Sequence, residues 1–351
     1  MHKTAVLLPF ILLCSLVALG EDSTQVKKIK ILPVPTIGYS PETRTYVGAV
    51  TLFTFNLHND SNTRTSNAKL EFNYTWNNQL IVESGWNYFS KAEKWFSRGL
   101  IHYSKFPDQY FGIGPNTPES NKLLFNSNRL ILDVAVLKKM GKQFFSGIQL
   151  KYVNYAQIKP EKPTPVYPEL TTASTVGIGY AVLKDTRNNI LTPTKGVYMH
   201  ANAVYNIAKS NYAELLVDLR YYKTWNNKFT WANRVVNDLT AGSPPFYDYA
   251  LLGGDKMVRG YYYGRYRDKF LSAWQTELRL PIFWRFGLAA FGGLSTLYAN
   301  NTPFNPSHLK HNYGLGLRFK VDKKDDTNLR IDYAIGSANN SGFYIAFGES
   351  F

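Results

Sequence analysis

The most chemically loaded stretch of this sequence is Leu252-Gly253-Gly254-Asp255-Lys256-Met257-Val258-Arg259-Gly260-Tyr261-Tyr262-Tyr263-Gly264-Arg265-Tyr266-Arg267-Asp268. An arginine between a β-branched residue and a glycine, followed by three tyrosines, makes a poor solvent loop. Its guanidinium holds five donors in a rigid fork that favours a carboxylate. Glu277 is the natural partner if this stretch folds inward. In the run that holds it, alternation sets Trp274, Leu278 and Leu280 on one face and Gln275, Glu277 and Arg279 on the other. The chemistry implied is an ion pair between Arg259, set in the run Val258, Arg259, Gly260, Tyr261, and Glu277, not a reaction centre. Glycines 253, 254, 260 and 264 supply the tight turns. Two readings stay open: a plug that stiffens the protein, or a switch that moves.

Catalytic constellations are wanting elsewhere. Beyond His2 the histidines are His58, His102, His200, His308 and His311, and none has a Ser/His/Asp setting. His308 and His311 lie in a loop without cysteines or clustered acids, which reads as a solvated pair rather than a metal site. No glycine-rich phosphate loop occurs. The expectation is therefore no enzyme, no catalytic residue, no metal and no cofactor. The 40 Lys+Arg outnumber the 25 Asp+Glu, giving a charge of +15. An export signal and strand patterning assign that excess to a lipopolysaccharide surface or a lumen lining, with no nucleic acid as partner.

The elements that position these groups follow from composition and period. Hydrophobic residues make up 44%, aromatics 15% and charged residues 19%, which excludes disorder, while a mean hydropathy of −0.27 excludes a bundle of membrane helices. Lys3, the apolar run Ala5 to Leu19 and the small Ala18 and Gly20 predict a signal peptide over 1–20, then a short periplasmic segment over 21–29. With Cys14 removed, the remaining chain has no cysteine. Period two then dominates. Ala68, Leu70, Phe72, Tyr74 and Trp76 alternate with Lys69, Glu71, Asn73 and Thr75, and similar runs recur to the end. Sixteen such runs start near residues 30, 45, 66, 79, 93, 125, 143, 172, 195, 212, 228, 270, 284, 311, 327 and 342. An all-β transmembrane antiparallel barrel over 30–351 is predicted, with strands of roughly 10 residues. Long connections at 105–124, 157–171, 241–269 and 299–310 all fall on one side, and the turns opposite are mostly short. The alternative is a large soluble β-sandwich.

Together with the sixteen strands, the 252–268 stretch resembles the BamA/TamA superfamily of outer-membrane barrels, the bacterial surface antigen family. There a Val-Arg-Gly-Tyr/Phe tetrapeptide tips the loop between the eleventh and twelfth strands, where Val258 to Tyr261 fall. Tyr110 to Thr117, Asp185 to Asn189 with Pro193 and Gly196, and Glu277 to Pro281 are similar to further family motifs, and Phe351 fits a C-terminal outer-membrane signal. The resemblance implies that the loop folds inward. It also implies a bacterial outer-membrane location. Three departures stand out. About ten residues between Gly20 and the first strand leave no room for a periplasmic POTRA domain, so a barrel-only member is expected. Phe291-Gly292-Gly293-Leu294-Ser295 replaces the family's Phe-x-Asp-x-Gly, which removes the expected second carboxylate for the loop arginine. Glu349 stands where the C-terminal signal is usually apolar.

Closing the barrel brings the first strand against the last. Pro33 and Pro35 each remove a backbone donor there, and Gly342 and Gly348 add no packing, so this seam is expected to be the weakest junction, with Ile37 near Ala346. An opposing possibility is that both prolines precede the paired segment. By resemblance, the chain would assist insertion, assembly or translocation of other outer-membrane proteins through the seam. Its partners would be outer-membrane lipids and lipopolysaccharide, nascent outer-membrane proteins, and periplasmic or lipoprotein accessory factors. The alternative is a passive or structural barrel.

Overall fold

A computed structural model describes residues 29–57, 63–161, 167–226, 229–299, 304–322 and 327–351. The expected signal peptide, all of the 21–29 segment except Ile29, and His58 lie outside the described residues. Strands follow one another as β1 (Lys30–Ser40), β2 (Arg44–Phe55), β3 (Ser66–Thr75), β4 (Leu80–Phe89), β5 (Trp95–Tyr110) and β6 (Leu123–Gly141). Next come β7 (Phe144–Pro160), β8 (Ala173–Asp185), β9 (Gly196–Ile207), β10 (Tyr212–Trp225) and β11 (Phe229–Gly242). Two short strands, β12 (Ala250–Leu252) and β13 (Tyr266–Asp268), pair with each other inside one connection. The chain finishes with β14 (Phe270–Phe283), β15 (Phe286–Tyr298), β16 (Lys310–Asp322), β17 (Thr327–Gly336) and β18 (Ser341–Phe347).

All strands except β12 and β13 form one closed antiparallel barrel of sixteen, each paired with its sequence neighbours. Each begins within two residues of the position that alternation predicts. The reason is the membrane-type pattern itself: Leu70, Phe72 and Tyr74 are exposed on the outer wall while Asn73 and Thr75 are buried toward the lumen. With an even strand count, Lys30 and Phe351 belong to the same end of the barrel, the termini end; the long connections lie at the opposite loop end. Strand length is where expectation and structure part. β5, β6 and β7 run for 16, 19 and 17 residues, so their ribbon stands beyond the length a membrane core requires. An interior cluster of Tyr110, Leu123, Phe125, Val153, Phe246 and Tyr247 packs against that extension.

β1 is paired very differently on its two sides. Against β2 the register runs unbroken from Lys30 opposite Thr54 to Ser40 opposite Arg44. Against β18 it consists of Tyr39 opposite Ile345 alone. That register sets Gly38, not Ile37, level with Ala346. Pro33 and Pro35 face Thr51 and Ala49 on β2 and have no strand partner on the other side. They precede the paired segment, as the second of the two possibilities had it. β18 stops at Phe347 because Gly348 adopts φ +76°, a left-handed turn that glycine enters without a Cβ clash, and the chain leaves the wall for the interior.

A buried arginine and carboxylate lattice in the lumen

Residues 243–269 leave the loop end between β11 and β14 and descend into the barrel. The β12–β13 ribbon anchors the descent. Ala250, Leu252, Val258, Tyr261 and Tyr266 pack with Leu271, Ala273 and Leu297 of the wall. The turn glycines are sterically required at two points. Gly253 has φ +116°, and a Cβ there would meet the Tyr262 carbonyl oxygen at 2.0 Å. Gly260 has φ +101°, and a Cβ there would meet the Ile335–Gly336 backbone at 3.0 to 3.1 Å.

Arg259 is held at 1% exposure. Its Nη2 donates to Glu277 Oε2 at 2.5 Å, its Nη1 donates to Asp332, and its guanidinium lies 3.5 Å from the Phe291 ring centroid. The sequence places Glu277 correctly on the lumenal face of β14, yet the expected loss of a second carboxylate is not what the structure has. Asp332 of β17 supplies it, and Phe291, the first residue of the departing motif, supplies a π face instead. Asp332 is buried on the lumenal face of its strand while its neighbour Tyr333 is exposed on the outer wall. What the sequence does not reveal is which of the lumenal acids the loop reaches across the barrel.

Further arginines complete a lattice. Arg279 Nε donates to Glu277 at 2.6 Å, and Arg318 Nη1 donates to Asp332 at 2.5 Å. Arg330 Nη1 donates to Asp332 at 2.9 Å, and its Nη2 donates to Asp255 of the loop. Glu349 accepts from Arg318 Nε at 2.9 Å and from Asn328 Nδ2 at 2.9 Å. That residue's departure from an apolar signal is thereby explained: it is a lumenal partner. Arg259, Arg279, Arg318 and Arg330 thus face Asp255, Glu277, Asp332 and Glu349, four cations against four anions. Charge balance and the pairing of every guanidinium with carboxylates through its terminal or Nε donors are what permit ions at such depth, although Arg259 Nε and Arg330 Nε have no partner.

Phe351 is not at the tip of the last strand. It is buried in the lumen against Tyr222 and Ala232, and Arg279 Nη2 donates to its main-chain oxygen at 2.9 Å. Ser350 Oγ donates to the Asp255 carbonyl at 2.7 Å, tying the C-terminal residues to the descending loop. The long turn 186–195, the exception among short turns, reaches the same place. Leu191 O accepts from Glu349 N at 2.8 Å and Pro193 O from Arg279 Nη1 at 2.9 Å.

The loop also touches both flanks of the β1–β18 junction. Gly260 N donates to Tyr344 Oη of β18 at 2.9 Å, and Tyr263 N donates to Glu42 Oε1, in the β1–β2 turn, at 2.7 Å. Gly342 lies beneath the Tyr344 hydroxyl, where a Cβ would come within 2.3 Å. Burial pushes the Glu42 carboxyl up to about 6.

Comparison with known proteins agrees with this architecture. No curated protein matches the chain in sequence. Among solved structures, the chain is similar to BamA from Haemophilus ducreyi lacking POTRA domains 1-3, with a TM-score of 0.60 and 12% identity over 92% of this chain and 70% of that one. It is also similar to CdiB from Acinetobacter baumannii, with a TM-score of 0.59 and 13% identity over 91% of this chain and 60% of that one. The chain thus spans less than two thirds of CdiB. At such identities the likeness is one of fold. The Omp85 superfamily domain matches residues 39–351, nearly the whole barrel together with its inward loop. With that match added to sixteen strands and a buried loop arginine, the chain belongs to the Omp85 superfamily.

Proposed function

We propose that this barrel sits in the bacterial outer membrane and assists the insertion or translocation of other polypeptides, with the β1–β18 seam as its moving part and the 243–269 loop as its latch. One observation carries the reading: the seam holds a single strand pair, Tyr39 opposite Ile345, while β1 is fully registered on its other side. In lipid, unpaired backbone groups are costly, so such a junction makes sense only if it is held by something else or used. The latch arginine, Glu277 and Asp332 hold the loop, and the loop holds both seam flanks through Tyr344 and Glu42. Cysteines at Tyr39 and Ile345 test it. Crosslinking is expected to abolish assembly or secretion of client proteins in cells while heat-resistant folding is kept. Full activity in a completely crosslinked barrel refutes the seam as the moving part.

A second reading has an observation of its own. The lumen is filled by the loop, by the 186–195 turn and by Gly348 to Phe351, as in a plugged, passive barrel. Planar-bilayer conductance separates the two. A gated barrel gives small, fluctuating openings that the crosslink suppresses, and a passive one gives openings indifferent to it.

A further inference from the structure

The positive charge of the chain is unevenly placed. Among the described residues on the termini end from β4 to β10, the exposed charged ones are Lys91, Lys94, Lys138, Lys142, Lys184, Lys195 and Lys223. The carboxylates of the same sector, Glu93 and Asp185, are taken up: Glu93 by Arg64 at 2.8 Å and Lys139 at 3.5 Å, Asp185 by Arg187 at 2.8 Å. At the loop end the signs are mixed, with Glu119 and Glu161 among Lys105, Lys122 and Lys159.

Three of these lysines occupy outer-wall positions. Leu137 is fully buried toward the lumen, so its neighbour Lys138 faces out, opposite Trp95. Lys184 stands between Phe144 and Met199, both exposed. Lys223 stands opposite Trp231, with its ammonium 5.0 Å from the Trp225 ring centroid. Each therefore has an apolar or aromatic neighbour for its stem and, toward mid-barrel, an apolar outward residue: Val136, Val182 or Tyr221. A lysine at the edge of an apolar band, with its stem on aromatic rings, delivers its ammonium to the depth of lipid headgroups.

We infer that Lys138, Lys184 and Lys223, backed by the turn lysines, form a headgroup site for anionic phospholipid on the termini-end leaflet. Charge complementarity selects the lipid: a phosphodiester without a compensating amine leaves a net negative charge for each ammonium. An acidic polypeptide fits less well, because these three side chains leave the wall sideways into the bilayer rather than downward into solvent. The inference rests on the membrane-barrel reading but not on a moving seam, so each can fail without the other.

Trp95, Trp225 and Trp231 are built-in reporters. The whole barrel is reconstituted in vesicles of phosphatidylcholine mixed with brominated phosphatidylglycerol or with brominated phosphatidylcholine, and tryptophan quenching is measured. With an attraction of roughly 1 kcal/mol per lysine near an anionic surface, the brominated anionic lipid is expected to quench at a roughly fivefold or greater lower mole fraction, a difference that shrinks in 0.5 M salt. The variant K138Q/K184Q/K223Q is expected to bring the two lipids within about twofold, and K138R/K184R/K223R to restore the preference. Should the glutamine variant fail to fold, the salt titration of the wild-type protein and the arginine variant decide. Equal quenching by both lipids in the wild type overturns the inference, as does a preference that the glutamine variant retains in full. Retention of the wild type on immobilised polyglutamate without any lipid preference overturns it too, in favour of an acidic polypeptide.

Discussion

Removing Glu277 is the sharpest single perturbation of the lumen. Its carboxylate is fully buried and touches Arg259, Arg279 and Arg318, so Glu277→Ala leaves four arginines facing three acids. Breaking one side of a buried ion pair costs about 3–5 kcal/mol. At about 1.4 kcal/mol per tenfold, the released-loop population rises roughly 10²- to 4 × 10³-fold. Asp332 still holds Arg259, which argues for the lower half of that range. The assay is the labelling rate of a cysteine at Val258, which is buried in the docked loop and close to cysteine in size, in proteins carrying Glu277→Ala, Arg259→Ala or both. A coupling energy of about 1–3 kcal/mol is expected from that cycle, because the two residues share one bond. Additive effects, with coupling under about 0.5 kcal/mol, would mean that the loop is held by its apolar packing and that the latch argument is mistaken.

Other outcomes follow from neighbouring contacts. Gly260→Ala combines a φ of +101° with a Cβ at 3.0 Å from the Ile335 backbone, so it is expected to undock the loop tip as Glu277→Ala does; an unchanged protease pattern counts against this. Loop docking on Glu42 is expected to depend on pH. Its carboxyl sits at about 6, raised by burial and further by Asp255, so the docked state takes up a proton that the released state loses nearer 4.5. Docking is strongest below about 4.5 and weakens as pH rises through 6, and Glu42→Gln is expected to flatten that dependence of loop proteolysis. Deleting Phe351 removes its burial on Tyr222 and Ala232 and is expected to leave much of the chain in the periplasm; normal outer-membrane levels after the deletion would refute that.

Much of this was legible from alternation, because a wall between lipid and lumen leaves each strand residue two environments. That is why Glu277, Arg279, Arg318, Arg330 and Asp332 all carry the right parity. Parity says which residues face in, not which of them meet across the interior. Arg259 finds Asp332 73 residues away on β17, and no local signal marks that pairing. The inward turn at Gly348 was hidden for a different reason. Phe343, Ile345 and Phe347 continue the outward pattern up to it, and the single clue was a charged residue, Glu349, where an apolar one was expected.

The lattice draws on positions 255, 259, 277, 279, 318, 330, 332 and 349, so its members come from the inward loop, three wall strands and the segment beyond β18. Contacts of such long sequence separation form late, after loop closure has been achieved by other means. A chain stopped before Gly348 would keep all sixteen wall strands yet lack Glu349 and the Ser350 tie to the loop. Without Glu349 the four arginines of the lattice face three acids, so the segment beyond β18 supplies the fourth anion of the cluster.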